Sequence, residues 1–196
     1  MLSSPLQEEI AATMAASGVK SSWARTTGIV YLLYFLGAIV GQILVAKGFV
    51  LPGKTTNVVS ILLYSGLGVL LYRLLRPAGS LQSLIAMLFN LAGSAMMLTA
   101  IFDGGNAPVS PLVFFGMYCF LIGILILRST FLPHSLGVLN TAAGIGWFIF
   151  LVPLHLHFLT VSIEVFGFLA EAALMSWLLM RGVEEHKWAE QAARHR

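Results

Sequence analysis

Apolar positions in this chain gather into long runs bounded by charged residues, and a helix needs about 20 such residues to cross the hydrocarbon layer of a bilayer. Four runs are plain: Thr26 to Ala46, bracketed by Arg25 and Lys47; Thr55 to Tyr72, closed by Arg73; Leu81 to Phe102, closed by Asp103; and Ala107 to Leu127, ending at Arg128. After Arg128 no Asp, Glu, Lys or Arg occurs until Glu164, a stretch too long for one helix. Dividing it at Pro153 gives a fifth span from Ser135 to Pro153, a turn around His155 and His157, and a sixth span from Phe158 to Met180. The joints carry turn chemistry: Leu51-Pro52-Gly53-Lys54, Arg76-Pro77-Ala78-Gly79, Asp103-Gly104-Gly105-Asn106 and Phe131-Leu132-Pro133. The pattern predicts an all-α protein, a polytopic bundle of six transmembrane helices filling residues 25–182.

The flanks are short. Residues 1–24 form an N-terminal segment in which Ser4 and Pro5 open a helix, Leu6, Ile10 and Met14 make an apolar stripe, and Gly18 marks the stop. Such a segment lies along the membrane surface or frays as a cytoplasmic tail. Its early acidic residues and the full-length apolar run behind it do not fit a cleavable signal. Residues 183–196 read as a cytoplasmic C-terminal tail. Lys and Arg are unevenly shared between the two faces that six spans create. Lys20, Arg25, Arg73, Arg76, Arg128, Arg181, Lys187, Arg194 and Arg196 fall on the face of the chain ends, and Lys47 and Lys54 on the other. That bias predicts both termini in the cytoplasm.

Composition agrees with lipid as the main solvent: 58% hydrophobic residues, 10% charged and a mean hydropathy of +0.90. The net charge of +3 comes from basic residues at the ends of apolar runs, which points to orientation in a bilayer and not to nucleic acid. The single cysteine, Cys119, lies within an apolar run, so no intrachain disulfide exists and the expected role is packing.

Glu164 and Glu171 are the acidic residues inside a span, where a carboxylate must be protonated, paired or facing a wet cavity. With His157 they repeat every seven residues, so the three project from nearly one face of a helix, about 10 Å apart along its axis. That spacing excludes a compact metal site of these three alone. It suits a ladder for proton or cation movement, or a polar groove for a lipid head group. In the alternative reading both acids are hydrogen-bonded to polar groups on neighbouring helices, such as Gln42, Asn90, Asn140 or Tyr31. His155-Leu156-His157 is a weak metal-chelating candidate with no further ligands in sequence, and no metal or cofactor is expected. Gly37 and Gly41 in the first span, and Gly137 and Gly144 in the fifth, would let helices approach closely.

The chain resembles a bacterial membrane family, domain of unknown function 4386, over about residues 24–183. The resemblance rests on Arg25-Thr26-Thr27-Gly28-Ile29-Val30-Tyr31-Leu32-Leu33, on Leu71-Tyr72-Arg73-Leu74-Leu75-Arg76-Pro77, on Arg128-Ser129-Thr130-Phe131-Leu132-Pro133 with Leu136-Gly137-Val138-Leu139, and on Glu171, Trp177-Leu178-Leu179 and Gly182. It implies a place in the bacterial cytoplasmic membrane and carries no assigned activity. Glu171 matches an acid of the family's final helix, whereas Glu164 has no counterpart. Three functions follow as expectations. The first is a non-enzymatic interaction, accessory or sensor protein with a membrane protein partner. The second is a small transporter or proton-coupled carrier using Glu164 and Glu171. The third is a membrane-embedded enzyme acting on a lipid, with Glu171 and His157 as acid and base.

Overall fold

A computed structural model describes residues 5–103, 110–151 and 157–194. All regular structure in these residues is helical: α1 (Pro5–Ala46), α2 (Val50–Leu75), α3 (Ser80–Asp103), α4 (Pro111–Arg128), α5 (His134–Trp147), α6 (His157–Met180) and α7 (Glu185–Arg194). The first six each supply a segment long and apolar enough to cross a membrane, so the six-span expectation is met. Each of the six spanning helices packs on its neighbour in sequence, and α6 closes onto α1, so the spans form a ring with a shared interior.

The ends of the elements follow local chemistry, with three departures from the sequence reading. Gly18 does not stop a helix; α1 runs unbroken through it for 42 residues. A lone glycine costs a helix about 1 kcal/mol and does not break it when the flanking residues continue the pattern. The first turn of the chain lies at Lys47–Phe49 and not at Leu51–Lys54, because Gly48 takes φ 88°, a left-handed conformation open to glycine. Pro52 then falls in the first turn of α2, where its missing N–H costs nothing. At the other end, α2 passes through a short 3₁₀ turn at Arg76–Ala78 into α3.

The third departure is the C-terminal segment, which is a docked helix. α6 is closed just past Met180 by Gly182, at φ 69°, whose N–H returns to the Trp177 carbonyl at 3.1 Å. α7 then crosses the face of the chain ends. Trp188 Nε1 donates to the Leu74 carbonyl at 2.8 Å, Gln191 Nε2 donates to the Arg128 carbonyl at 3.1 Å, and the Glu184 N–H donates to Phe131 O. It thereby links the α2–α3 and α4–α5 joints. α5 continues as a 3₁₀ turn at Phe148–Leu151, and Pro153, the expected divider, lies outside the described residues.

Helices in lipid gain little from apolar burial and are held by close packing and interhelical hydrogen bonds. α4 and α5 show the first. A methyl group added at Gly144 would overlap the Phe120 backbone, one at Gly137 would meet Leu127, and one at Gly123 would meet the Thr141 backbone. On α1, Gly37 and Gly41 face side chains of α2, Ser60 and Asn57. Outward faces carry Leu33, Leu36, Val59, Leu88, Val138 and Val165, all exposed, as a lipid-facing surface requires. Trp23 under Arg73 and Trp177 under Arg181 form cation–π pairs at 5.3 and 5.2 Å, aromatic and basic anchors at the interface level.

Candidate functional site

Tyrosines in membrane helices are enriched near the interfaces, yet Tyr31, Tyr34, Tyr64 and Tyr118 lie near the middle of their spans, Trp23–Ala46, Val50–Ala78 and Pro111–Arg128. The ring of helices turns them inward. Tyr31, Tyr64 and Tyr118 are almost fully buried, and Tyr64 is surrounded by Tyr34, Phe115 and Tyr118 at ring-centroid distances of 4.5, 5.3 and 5.8 Å. Each buried phenol brings a hydroxyl that needs a partner in a medium without water.

Glu171, near the middle of α6, supplies that partner to Tyr64, whereas among the described residues the Tyr118 hydroxyl has none. Tyr64 Oη donates to Glu171 Oε1 at 3.0 Å, and the Cys119 Sγ–H donates to the same oxygen at 3.2 Å. The Tyr31 side chain hydrogen-bonds to the carboxyl as well. One acid thus joins α6 to α1, α2 and α4 at the core of the bundle. Glu171 keeps a partial accessibility that Tyr31, Tyr64 and Cys119 lack.

Above this node, on the side of the α1–α2 turn, a partly open cavity of about 140 Å³ lies between α1, α2, α3 and α4. Tyr34 and Tyr64 form its floor, Phe115 and Met97 contribute apolar wall, and Gln42, Asn57 and Ser60 bring polar groups. Ser60 Oγ is occupied by the Thr56 carbonyl at 2.8 Å, whereas among the described residues the Gln42 and Asn57 amides have no hydrogen-bond partner. Tyr64 belongs to both features: its ring lines the cavity and its hydroxyl holds Glu171.

The other expected site residues are dispersed. Glu164 is exposed on α6, two turns from Glu171, and has no hydrogen-bond or ion-pair partner among the described residues. Asn90 is fully buried on α3 against Gly68, and among the described residues neither of its side-chain polar atoms has a partner, nor has the buried hydroxyl of Ser94 one turn on. Asn140 is buried on α5 and donates to its own Leu136 carbonyl at 2.9 Å. Neither amide reaches the acid. His155 and the side chain of His157 lie outside the described residues, within which no three His, Cys, Asp or Glu residues gather as a metal site.

Cys119, expected only to pack, is a ligand of the carboxyl, and Tyr64, Tyr118, Asn57 and Ser60 were missed altogether. A phenol placed at mid-span, far from either aromatic belt, was the available signal.

The second half of this node lies in a region with known relatives. Residues 92–182 match the family model described as domain of unknown function DUF4386, a stretch that includes Tyr118, Cys119 and Glu171 and leaves out Tyr31 and Tyr64. An uncharacterized protein of the archaeon Archaeoglobus fulgidus is 32% identical over 128 residues, covering 62% of this chain and 78% of the relative. No solved structure matches significantly. A six-span bundle, a family match from the middle of the third span to the end of the sixth and a relative covered over most of its length together make this chain a member of the DUF4386 family.

Proposed function

We propose that the protein is a multi-pass membrane sensor or accessory protein, without a reaction of its own, in which the state of the cavity is passed through Tyr64 to Glu171. The observation that carries this is the double engagement of Tyr64, whose ring lines the cavity while its hydroxyl holds the carboxyl of α6. A change at the cavity that turns this ring must break, lengthen or redirect the bond to Glu171, and with it the contact of α6 on α2. In this reading both termini are cytoplasmic, supported by nine Lys and Arg on the face of the chain ends against two opposite. Residues 25–182 are the membrane domain, and residues 1–24 and 183–196 are its cytoplasmic flanks.

The carrier and lipid-enzyme readings have less support. A carrier that uses both acids needs Glu164 and Glu171 on one route, and Glu164 is turned out of the bundle. An enzyme pairing Glu171 with His157 must bridge fourteen residues of α6, about 21 Å along its axis.

Infrared spectra of the purified protein in lipid test the sensor reading. The Glu171 carboxyl band, assigned by its loss in Glu171→Gln, is expected to shift when the cavity is filled by Ala38→Phe, and to stop responding to that change in a Tyr64→Phe background. A band indifferent to Ala38→Phe while Tyr64 is present would overturn the coupling.

A further inference from the structure

Resting on the reading of the cavity as the sensing end, we propose that it is a binding site for a small organic ammonium ion of about the size of choline. Size sets the first limit. Engineered protein cavities of about 150 Å³ take benzene, so a space of about 140 Å³ accepts a group of comparable bulk and excludes drug-sized ligands.

The sign of charge is set by what surrounds the space. Among the described residues no Lys, Arg or His lines it, so an anion finds no counter-charge there. Lys47, in the α1–α2 turn, and Lys54, near the start of α2, are exposed, so water and salt screen them. The ionisable groups below the floor are Glu171 on α6, Tyr31 and Tyr34 on α1, Tyr64 on α2, and Tyr118 and Cys119 on α4, and not one of them can become positive. The floor and wall are the rings of Tyr34, Tyr64 and Phe115. A cation over such rings gains about 0.5–2 kcal/mol, most where water is excluded. Tyr64, which lines the cavity, donates its hydroxyl to a carboxyl, and this adds electron density to its ring. The Gln42 and Asn57 amides, unengaged at the upper wall, offer carbonyl oxygens to an ammonium N–H or to a hydroxyl on the ligand.

The same chemistry occurs on a free amine and on the ammonium head group of a membrane lipid, so the test separates them. The full-length protein is placed in nanodiscs of phosphatidylglycerol, which has no ammonium group, and titrated calorimetrically with choline. The comparison ligand is its uncharged carbon isostere, 3,3-dimethylbutan-1-ol. Choline is expected to bind about tenfold more tightly than the isostere, to lose binding in Ala38→Phe, and to weaken in Glu171→Gln. Phe115→Leu, which removes a ring and adds no bulk, should weaken choline and leave the isostere unchanged, and it serves if Ala38→Phe does not fold. In phosphatidylcholine nanodiscs, a fall in apparent affinity identifies the lipid head group as occupant, and an unchanged affinity identifies a free amine.

Equal binding of choline and the isostere, or no binding of choline to the wild type, would overturn the proposal. Choline binding that leaves the Glu171 band unmoved would sink the sensor reading and keep the site. A band that answers to Ala38→Phe without any choline binding would do the reverse.

Discussion

The half of the bundle nearest the chain ends and the half nearest the α1–α2 turn are built from the same helices, yet they are packed differently. Towards the chain ends, Leu71, Leu75, Leu125, Ile126, Phe131 and Leu178 are almost completely buried, Ala24 sits among them, and α7 lies across the joints. A methyl group at Gly28 would collide with the Leu179 backbone, so α1 and α6 also touch there at closest range. Towards the α1–α2 turn the bundle holds a partly open cavity whose wall carries two unengaged amides, Asn57 and the exposed Gln42. Lipid gives no hydrophobic reward for closing a helix interface, so a bundle need be tight only where it must hold its shape. The difference therefore separates a scaffold from a region free to accept a guest, and the Glu171 node marks the boundary between them.

The largest expected effect breaks the scaffold. Gly123→Ala places a methyl group against the Thr141 backbone, and backbone cannot swing aside, so α4 and α5 must part at a cost of about 3 kcal/mol. Gly41→Ala meets first the Asn57 side-chain amide, which can turn into the cavity, and should cost about 1 kcal/mol or less. Reversible unfolding in mixed micelles measures both. Equal costs would mean that the two halves are equally rigid.

Next in size is a pair of truncations. Leu125→Ala removes a fully buried side chain from the tight half and is expected to cost about 2–3 kcal/mol, because the hole it leaves is enclosed. Met97→Ala widens a cavity that already exists and should cost under about 1 kcal/mol. The same micelle titration reports the ratio, and a Met97→Ala penalty as large as that of Leu125→Ala would show that the cavity is part of the packed core.

This contrast marks what the sequence discloses. Spans are legible because hydrophobic length is a one-dimensional property, and the basic anchors at Arg73, Arg128 and Arg181 stand where the runs end. The facing of helices is only half legible. Spacing placed Glu164 and Glu171 on nearly one face, but the small angular drift across seven residues, on a helix only partly covered by its neighbours, leaves one acid outside and the other among phenols. The partners of Glu171 come from residues 107 and 52 positions away, and no pattern within a single helix announces such a meeting. α7 was hidden for another reason. Its charged residues read as a solvated tail, and only the carbonyls left free at the ends of α2 and α4 give Trp188 and Gln191 something to bind.

At the boundary itself, Tyr64→Phe keeps the ring and removes the hydroxyl. Interhelical hydrogen bonds in membranes average about 0.6 kcal/mol and reach about 1.7. The variant should lose an amount in that range, and Cys119 still holds the carboxyl, which limits the damage. Cys119→Ala in the same background is expected to cost more than it does alone, since the two donors share one oxygen. A double-mutant cycle measures that coupling, and strict additivity would mean that the carboxyl finds other partners as soon as one leaves.

The smallest effect asks whether the two halves are independent at all. Trp188→Phe retains the aromatic packing of α7 and removes the donor to the Leu74 carbonyl, a loss of about 0.5–1.5 kcal/mol. Gln191 still anchors the helix to Arg128, so α7 should loosen without leaving. Amide hydrogen exchange is then expected to quicken in 185–194 and at the end of α2, while the amides around Asn57 and Ser60 keep their protection. If exchange rises around the cavity as well, the strap and the guest site communicate through α2, which carries Leu74 near one end and Tyr64 at its middle. The scaffold would then be the conductor of the signal and not merely its support.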